Sequence, residues 1–453
     1  MTKGLFSDFD PVSAKAWKQK IQLDLKGADY NKTLIWNSLE GIDVKPFYHS
    51  EDINHKDLNV SITPHWTICE NILVTNEKSA NAQALNVIEK GAESIRFNLS
   101  EEDINLNVLL RNISTPIYIK LDFLSNTLVE QLDKYALSNQ KNIAVEIDII
   151  GRLAKTGNWY SGLKEDHKVL NTIVANCKAL KSLISIDVTT YQNAGATITQ
   201  QLAYALAHAN EYLNHFNGNL DKPMVFKFSI GSNYFFEIAK LRAFRLLWET
   251  LNSAYNQNME CHIDAIPSSR NKTLYDYNTN LLRTTTECMS AILGGANTIS
   301  NLAYDAIYHN HNEFGERIAR NQLLILKHES NFDKVQNPTS GAYYIEELTE
   351  QLASKSLQLF KNIESNGGFL KQLKVGTIQR KIKESANKEQ ELFDNEKIVL
   401  LGTNKHQNPE DKMKGTIEKS PFIETKPRKT LIEPVIEKRL SEQLDKNRLE
   451  KEK

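Results

Sequence analysis

The chain has 453 residues, and its 55 Lys and Arg against 56 Asp and Glu give a net charge of -1, which argues against nucleic-acid binding as a main role. That length is comfortable for one large barrel or about three average domains, and with 40% hydrophobic residues a sizeable core is available. Cys69, Cys177, Cys261 and Cys288 are too few and too scattered for a disulfide framework and form no C-x-x-C pair, so a reducing, cytoplasmic setting is expected. Asp8 and Asp10 stand where a secretory leader needs a basic start and an apolar stretch, and no apolar run approaches a membrane span.

Residues 1–60 are polar and broken, with an amphipathic piece (Ala14, Trp17, Ile21, Leu23, Leu25) and then a turn-rich stretch through Gly41, Pro46 and Tyr48. They read as an arm that packs on something else. Over residues 61–335 short β-rich runs alternate with longer helical ones. The predicted strands are 72–75, 94–99, 117–123, 143–149, 183–188, 224–230, 262–266 and 298–301, with helices such as 198–216 and 233–248 between them. Eight alternating units fit a closed (β/α)8 TIM barrel. A doubly wound open sheet is the alternative, but no Gly-rich phosphate turn follows the first strand. Residues 336–405 form a helical linker region, and 406–453 a charged tail whose end is either a helix or disordered.

The strands carry an aliphatic face and a polar one. The polar face holds Arg96, Asn98, Lys120, Asp122, Glu146, Asp148, Ser185 and Asp187, to which later strands add Lys227, His262 and Asp264. With the aliphatic face against the helices, these charges point down the barrel axis. Two readings follow. Lys227 beside Glu146 or Asp148 suggests Schiff-base or acid/base chemistry of an aldolase kind. The favoured reading is a filled interior in which three basic and five acidic side chains neutralise one another.

Other candidates are weaker. His309, His311 and Glu313 form an H-x-H-x-E run in a polar connection without the helical spacing of zinc hydrolases, so a solvated loop is expected. His208 and His215, seven apart on one helix, are also expected to face solvent. Cys261 and His262, adjacent on a strand, point to opposite faces and cannot form a dyad. Gly294 and Gly295 end a helix. Tyr234, Phe235 and Phe236 are read as core and helix-start packing.

Seven ordered segments resemble the methylmalonyl-CoA mutase family. They are Glu40-Gly-Ile-Asp-Val-Lys-Pro-Phe-Tyr48, Tyr191-Gln-Asn-Ala-Gly-Ala-Thr197, Phe235-Phe-Glu-Ile-Ala-Lys-Leu-Arg-Ala243, Arg283-Thr-Thr-Thr-Glu287 with Leu293-Gly-Gly295, Arg317-Ile-Ala-Arg-Asn321, Ser340-Gly-Ala-Tyr-Tyr-Ile-Glu346 and Gly402-Thr-Asn-Lys405. Leu5-Phe-Ser-Asp-Phe9 and Lys26-Gly-Ala-Asp-Tyr30 resemble the small subunit of its two-chain bacterial form. The resemblance implies a (β/α)8 barrel with an arm wrapping a large partner subunit. In the active chain it implies coenzyme A threaded along the barrel and adenosylcobalamin at the mouth, interconverting methylmalonyl-CoA and succinyl-CoA.

Three departures separate this chain from the active pattern. Thr189-Thr190-Tyr191 replaces the family's Tyr-His-Met, so Thr190 stands at the catalytic His position. Thr63-Pro-His-Trp-Thr-Ile-Cys-Glu70 replaces Arg-Pro-Trp-Thr-Ile-Arg-Gln-Tyr, removing basic contacts. No Asp-x-His-x-x-Gly cobalt-ligating motif occurs. The expectation is therefore a small, non-catalytic subunit with no catalytic, cofactor-binding or metal residues of its own. Adenosylcobalamin is expected on the large subunit of a heterodimer, with neither nucleic acid nor membrane as a partner. The alternative is a stand-alone barrel enzyme acting on an acyl-CoA or aldol-type substrate through Lys227.

Overall fold

The computed structural model describes residues 7–52, 58, 60, 62, 65–423 and 428–452. Eight parallel strands run in chain order around the sheet: β1 (Thr67–Val74), β2 (Ser94–Leu99), β3 (Ile117–Leu121), β4 (Ile143–Glu146), β5 (Ser185–Asp187), β6 (Val225–Ile230), β7 (His262–Pro267) and β8 (Thr298–Ile299). β8 pairs with β1, and a parallel bridge between Ile147 and Ile184 joins the β4 side to the β5 side, which closes the barrel. The expected (β/α)8 architecture is the observed one.

Outward positions explain why the sheet closes. Ile95, Phe97 and Leu99 on β2, Ile117 and Ile119 on β3, and Phe226, Phe228 and Ile230 on β6 are buried against the surrounding helices. Each such side chain contributes about 1.5–3 kcal/mol by leaving water. On β6 the packing is aromatic: Phe226 meets Phe244 and Trp248 edge-on at 4.6 and 4.7 Å, tying the strand to helix Tyr234–Ala254.

The first strand begins five residues earlier than predicted, at Thr67. Cys69, Glu70 and Asn71 precede the predicted start, yet the ladder to β2 begins at Cys69. Helix Ile198–His215 starts at a capping box formed by Thr197 and Gln200. Its first amides are also bonded by the arm, since the Glu40 carboxylate accepts from Ile198 N at 2.8 Å and Thr199 N at 2.7 Å. That contact fixes the arm's two-stranded ribbon, Trp36–Asn37 with Asp43–Val44, on the barrel.

Beyond the barrel, helices Tyr343–Ser365, Phe369–Lys374 and Thr377–Asp394 form the linker region. The chain then crosses the C-terminal ends of the strands. Leu431 N and Ile432 N donate to Gly157 O, Val435 N to Ala154 O, Lys438 N to Asn193 O and Leu440 N to Arg270 O. Helix Glu442–Lys451 follows.

Candidate functional site

Alternation directs one layer of side chains from all eight strands or their ends to the barrel axis. Its centre is Arg96 on β2, which has no solvent exposure. The Arg96 Nε donates to Glu146 Oε1 at 2.8 Å and Nη2 to Asp264 Oδ2 at 2.6 Å, while Nη1 reaches Asn71 Oδ1 at 3.1 Å and Ser300 Oγ at 3.3 Å. One guanidinium thus bridges β1, β2, β4, β7 and the end of β8. Arginine suits this place because its planar fork presents donors in several directions and stays charged when buried. Arg96 holds Glu146 below the ordinary carboxylate range, whereas burial outweighs its pull on Asp264, which is raised.

The layer beneath is neutral. Tyr118 and Thr298 hydroxyls lie 3.1 Å apart, and His262 Nε2 sits 3.0 Å from Thr298 Oγ1. Burial, with Arg245 and Arg96 nearby, pushes the His262 imidazole down to about 4, so it is neutral at pH 7. Cys69, Tyr118 and Ala144 complete this floor. Cys261 lies in the outer core while His262 faces in, as the strand alternation requires.

Toward the C-terminal mouth the layer opens. Lys120 Nζ is 3.4 Å from Asp187 Oδ2, and both side chains are partly exposed. Asp187 is held well below its usual range by Lys120, Lys227 and Lys155 despite its burial, with the Thr189 hydroxyl adding a short hydrogen bond. The expectation that all these charges pair off needs correction at three places. Asp122 lies beyond the end of β3, exposed, and accepts from Ser100 Oγ at 3.0 Å. Asp148 caps helix Ile149–Thr156 through Gly151 N at 2.7 Å and accepts from the Tyr212 hydroxyl at 2.9 Å. Lys227, half-buried on β6, has no carboxylate within ion-pair distance among the described residues; it feels Arg96, Lys120, Glu146 and Asp264 only through space.

His208 also departs from expectation. It is fully buried rather than solvent-facing, with Nε2 2.9 Å from Asp148 Oδ1, Nδ1 3.0 Å from the Tyr191 hydroxyl, and its ring stacked on Phe369 at 5.4 Å. These contacts anchor the short helix Thr189–Asn193, in which Thr190 is buried. His215 is exposed as expected. His309 and His311 turn to different carboxylates, Asp305 at 3.3 Å and Glu316, and among the described residues no group of three His, Cys, Asp or Glu side chains is placed to hold a metal ion. Gly295 carries the left-handed backbone, φ 86°, after helix Thr279–Leu293. Phe236 is buried against Trp36, but Phe235 is half exposed.

Two buried ion pairs at the mouth were missed by sequence reasoning. Lys240 meets Glu237 and also donates to Ser229 O at 2.6 Å; Lys272 donates to Glu287 Oε1 and Oε2 at 2.9 and 2.8 Å. Three of these four residues lie in segments that carry the family resemblance, which is the signal that could have found them. A cavity of about 270 Å³ beside them is lined by Glu40, Gln192, Glu237, Arg270 and Glu389, each of which is already hydrogen-bonded within the chain. Residues 431–440 lie across the mouth, and His208 is committed to Asp148 and Tyr191.

The fold and site together define a (β/α)8 barrel whose axis is occupied by its own ion network. Residues 120–451 match the methylmalonyl-CoA mutase family. The chain is 34% identical to the methylmalonyl-CoA mutase small subunit of Porphyromonas gingivalis over 89% of its own length and 71% of that protein. It is 29% identical to the methylmalonyl-CoA mutase of Cereibacter sphaeroides over 86% of this chain, and spans 64% of that protein. The chain belongs to the methylmalonyl-CoA mutase family. Of the segment that departs from the active pattern, Thr63 and Pro64 lie outside the described residues, His65 is exposed, and Glu70 pairs with Arg320 at 2.9 Å.

Proposed function

We propose that this chain is the small, non-catalytic subunit of a two-chain methylmalonyl-CoA mutase, a pseudo-enzyme barrel that pairs with a cobalamin-bearing large subunit. The large subunit then interconverts methylmalonyl-CoA and succinyl-CoA. The observation that carries this reading is the bridge from Arg96 to Glu146 and Asp264, which occupies the axis where an extended acyl-CoA chain would have to pass. Thr190 supports it independently. A hydroxyl with no accessible pKa near neutrality cannot replace an imidazole as a proton donor to a thioester oxygen.

The arm supplies the partner surface in this reading. Helix Ala14–Asp24 buries none of its residues, and Phe9, Trp17, Leu23 and Trp36 are all exposed. Phe6, on the same arm, lies outside the described residues. Apolar groups gathered this way are a protein-binding feature. A cytoplasmic site of action accords with four free, buried cysteines. Among the described residues no helix is long and apolar enough to cross a membrane.

Co-expression with the cobalamin-domain chain from the same genome tests the proposal. The two chains are expected to co-elute on sizing, with mutase turnover in the pair and none in this chain alone. Separate elution, or turnover by this chain alone, overturns it.

A further inference from the structure

Helix Ala14–Asp24 is held to the rest of the chain by few contacts. Eleven residues are too few for a stable helix alone in water, and none of these is buried. Trp17 meets Phe47 edge-on at 6.0 Å, Lys18 Nζ lies 4.7 Å from the centre of the Tyr30 ring, and Ala14 N donates to Glu51 Oε2 at 3.2 Å. Between the helix and the two-stranded ribbon a groove of about 730 Å³ stays open. The helix therefore stands over a gap instead of packing into it.

The lining of that groove is basic, although the whole chain carries a net charge of -1. Four lysines and two aspartates face it, a surplus of two positive charges. Both aspartates are used within the chain: Asp52 Oδ1 pairs with Lys45 at 2.8 Å, and Asp43 Oδ1 accepts from Asn37 Nδ2 at 2.6 Å. Lys15, Lys18 and Lys32 have no carboxylate within ion-pair distance among the described residues. Tyr30, Ile35 and Phe47 add an apolar part to the same lining.

We propose that this groove seats a short acidic segment of the large subunit, whose carboxylates meet Lys15, Lys18 and Lys32 while an apolar side chain lies against Tyr30, Ile35 and Phe47. The groove belongs to the arm that the subunit reading sets against the partner, so this inference rests on that reading and adds the chemistry of the segment held. Charge decides between occupants. A purely apolar segment would desolvate three ammonium groups without pairing them, and a basic one would repel them, whereas an acidic one satisfies them and draws the partner in. Filling the groove would also give the helix the packing it lacks.

The test is zero-length carbodiimide cross-linking of the co-expressed pair, followed by peptide mass spectrometry. That reagent joins an amine to a carboxylate only where the two are already in contact, so Lys15, Lys18 and Lys32 are expected to link to Asp or Glu residues within one stretch of the large subunit. Replacing all three together, Lys15→Gln, Lys18→Gln and Lys32→Gln, should weaken the pair about tenfold at about 0.1 M salt, and by much less at about 1 M, where exposed charges are screened. A pair that co-elutes while these lysines link only to carboxylates of this chain, in the same or a second copy, overturns the proposal and leaves the subunit reading standing. So does a triple variant that associates as tightly as the wild type at the lower salt. Chains that do not co-elute overturn both.

Discussion

Replacing Arg96 with methionine removes the one group that joins five strands at the barrel axis. The change deletes charge-assisted bonds of 2.8 and 2.6 Å to Glu146 and Asp264, and longer ones to Asn71 and Ser300. Methionine is close in length, so the loss is electrostatic rather than a cavity. Breaking a buried ion pair costs about 3–5 kcal/mol because the surviving charge stays buried. Two carboxylates are stranded here, but each can take up a proton, which limits the cost to about the same range. At about 1 °C per kcal/mol for a chain of 453 residues, Arg96→Met should melt roughly 3–5 °C lower at pH 8. The pH dependence has a definite sign. Without Arg96, burial raises the pKa of Glu146 as well as that of Asp264, so the deficit should shrink as pH falls and both acids are protonated. Differential scanning calorimetry at pH 8 and pH 5.5 measures it. Lys227→Met is the control, since it breaks no ion pair and should cost less than about 1 kcal/mol. Arg96→Met melting with the wild type, or Lys227→Met falling as far, would refute the filled-axis reasoning.

Three further outcomes follow from the site. His262 is held near pKa 4 against an ordinary 6.5, so its contribution to stability is present above 6.5 and is lost as pH falls from 6.5 toward 4; His262→Asn should flatten that part of the pH–stability curve, and NMR should find the imidazole neutral at pH 6. His208→Phe keeps the stack on Phe369 but strands the Tyr191 hydroxyl and removes one of three donors to Asp148 Oδ1, and should cost about 1–3 kcal/mol in urea melts. Deleting residues 1–48 should abolish association with the large chain on sizing, and an unchanged complex would remove the arm from the account.

The barrel was readable because its period is simple. Aliphatic residues at alternate positions, Ile95, Phe97 and Leu99 for example, need a helix layer on one side only, and seven of the eight predicted strands begin within two residues of the observed ones. The first was misplaced because its polar stretch, Cys69 to Asn71, faces the axis or Arg320 instead of the core. The charged axis was readable for the same reason, but its pairing was not. Which carboxylate Arg96 meets depends on distances across a closed barrel, between residues 50 and 168 apart in sequence. His208 shows the same limit. Its helix face was legible, but not that Asp148 and Phe369, from other elements, would cover it. Lys240 and Glu237 were hidden differently: three apart on a helix, they look like an ordinary surface pair until the helix is buried on both sides.

The filled axis and the buried Thr190 make one claim together: this barrel does not take the substrate of the mutase. Equilibrium dialysis of methylmalonyl-CoA against the purified full-length chain tests that most directly, with the co-expressed pair measured alongside. The account predicts retention of the thioester by the pair and none above buffer by the chain alone. Saturable binding of one methylmalonyl-CoA per chain by the isolated protein would contradict it.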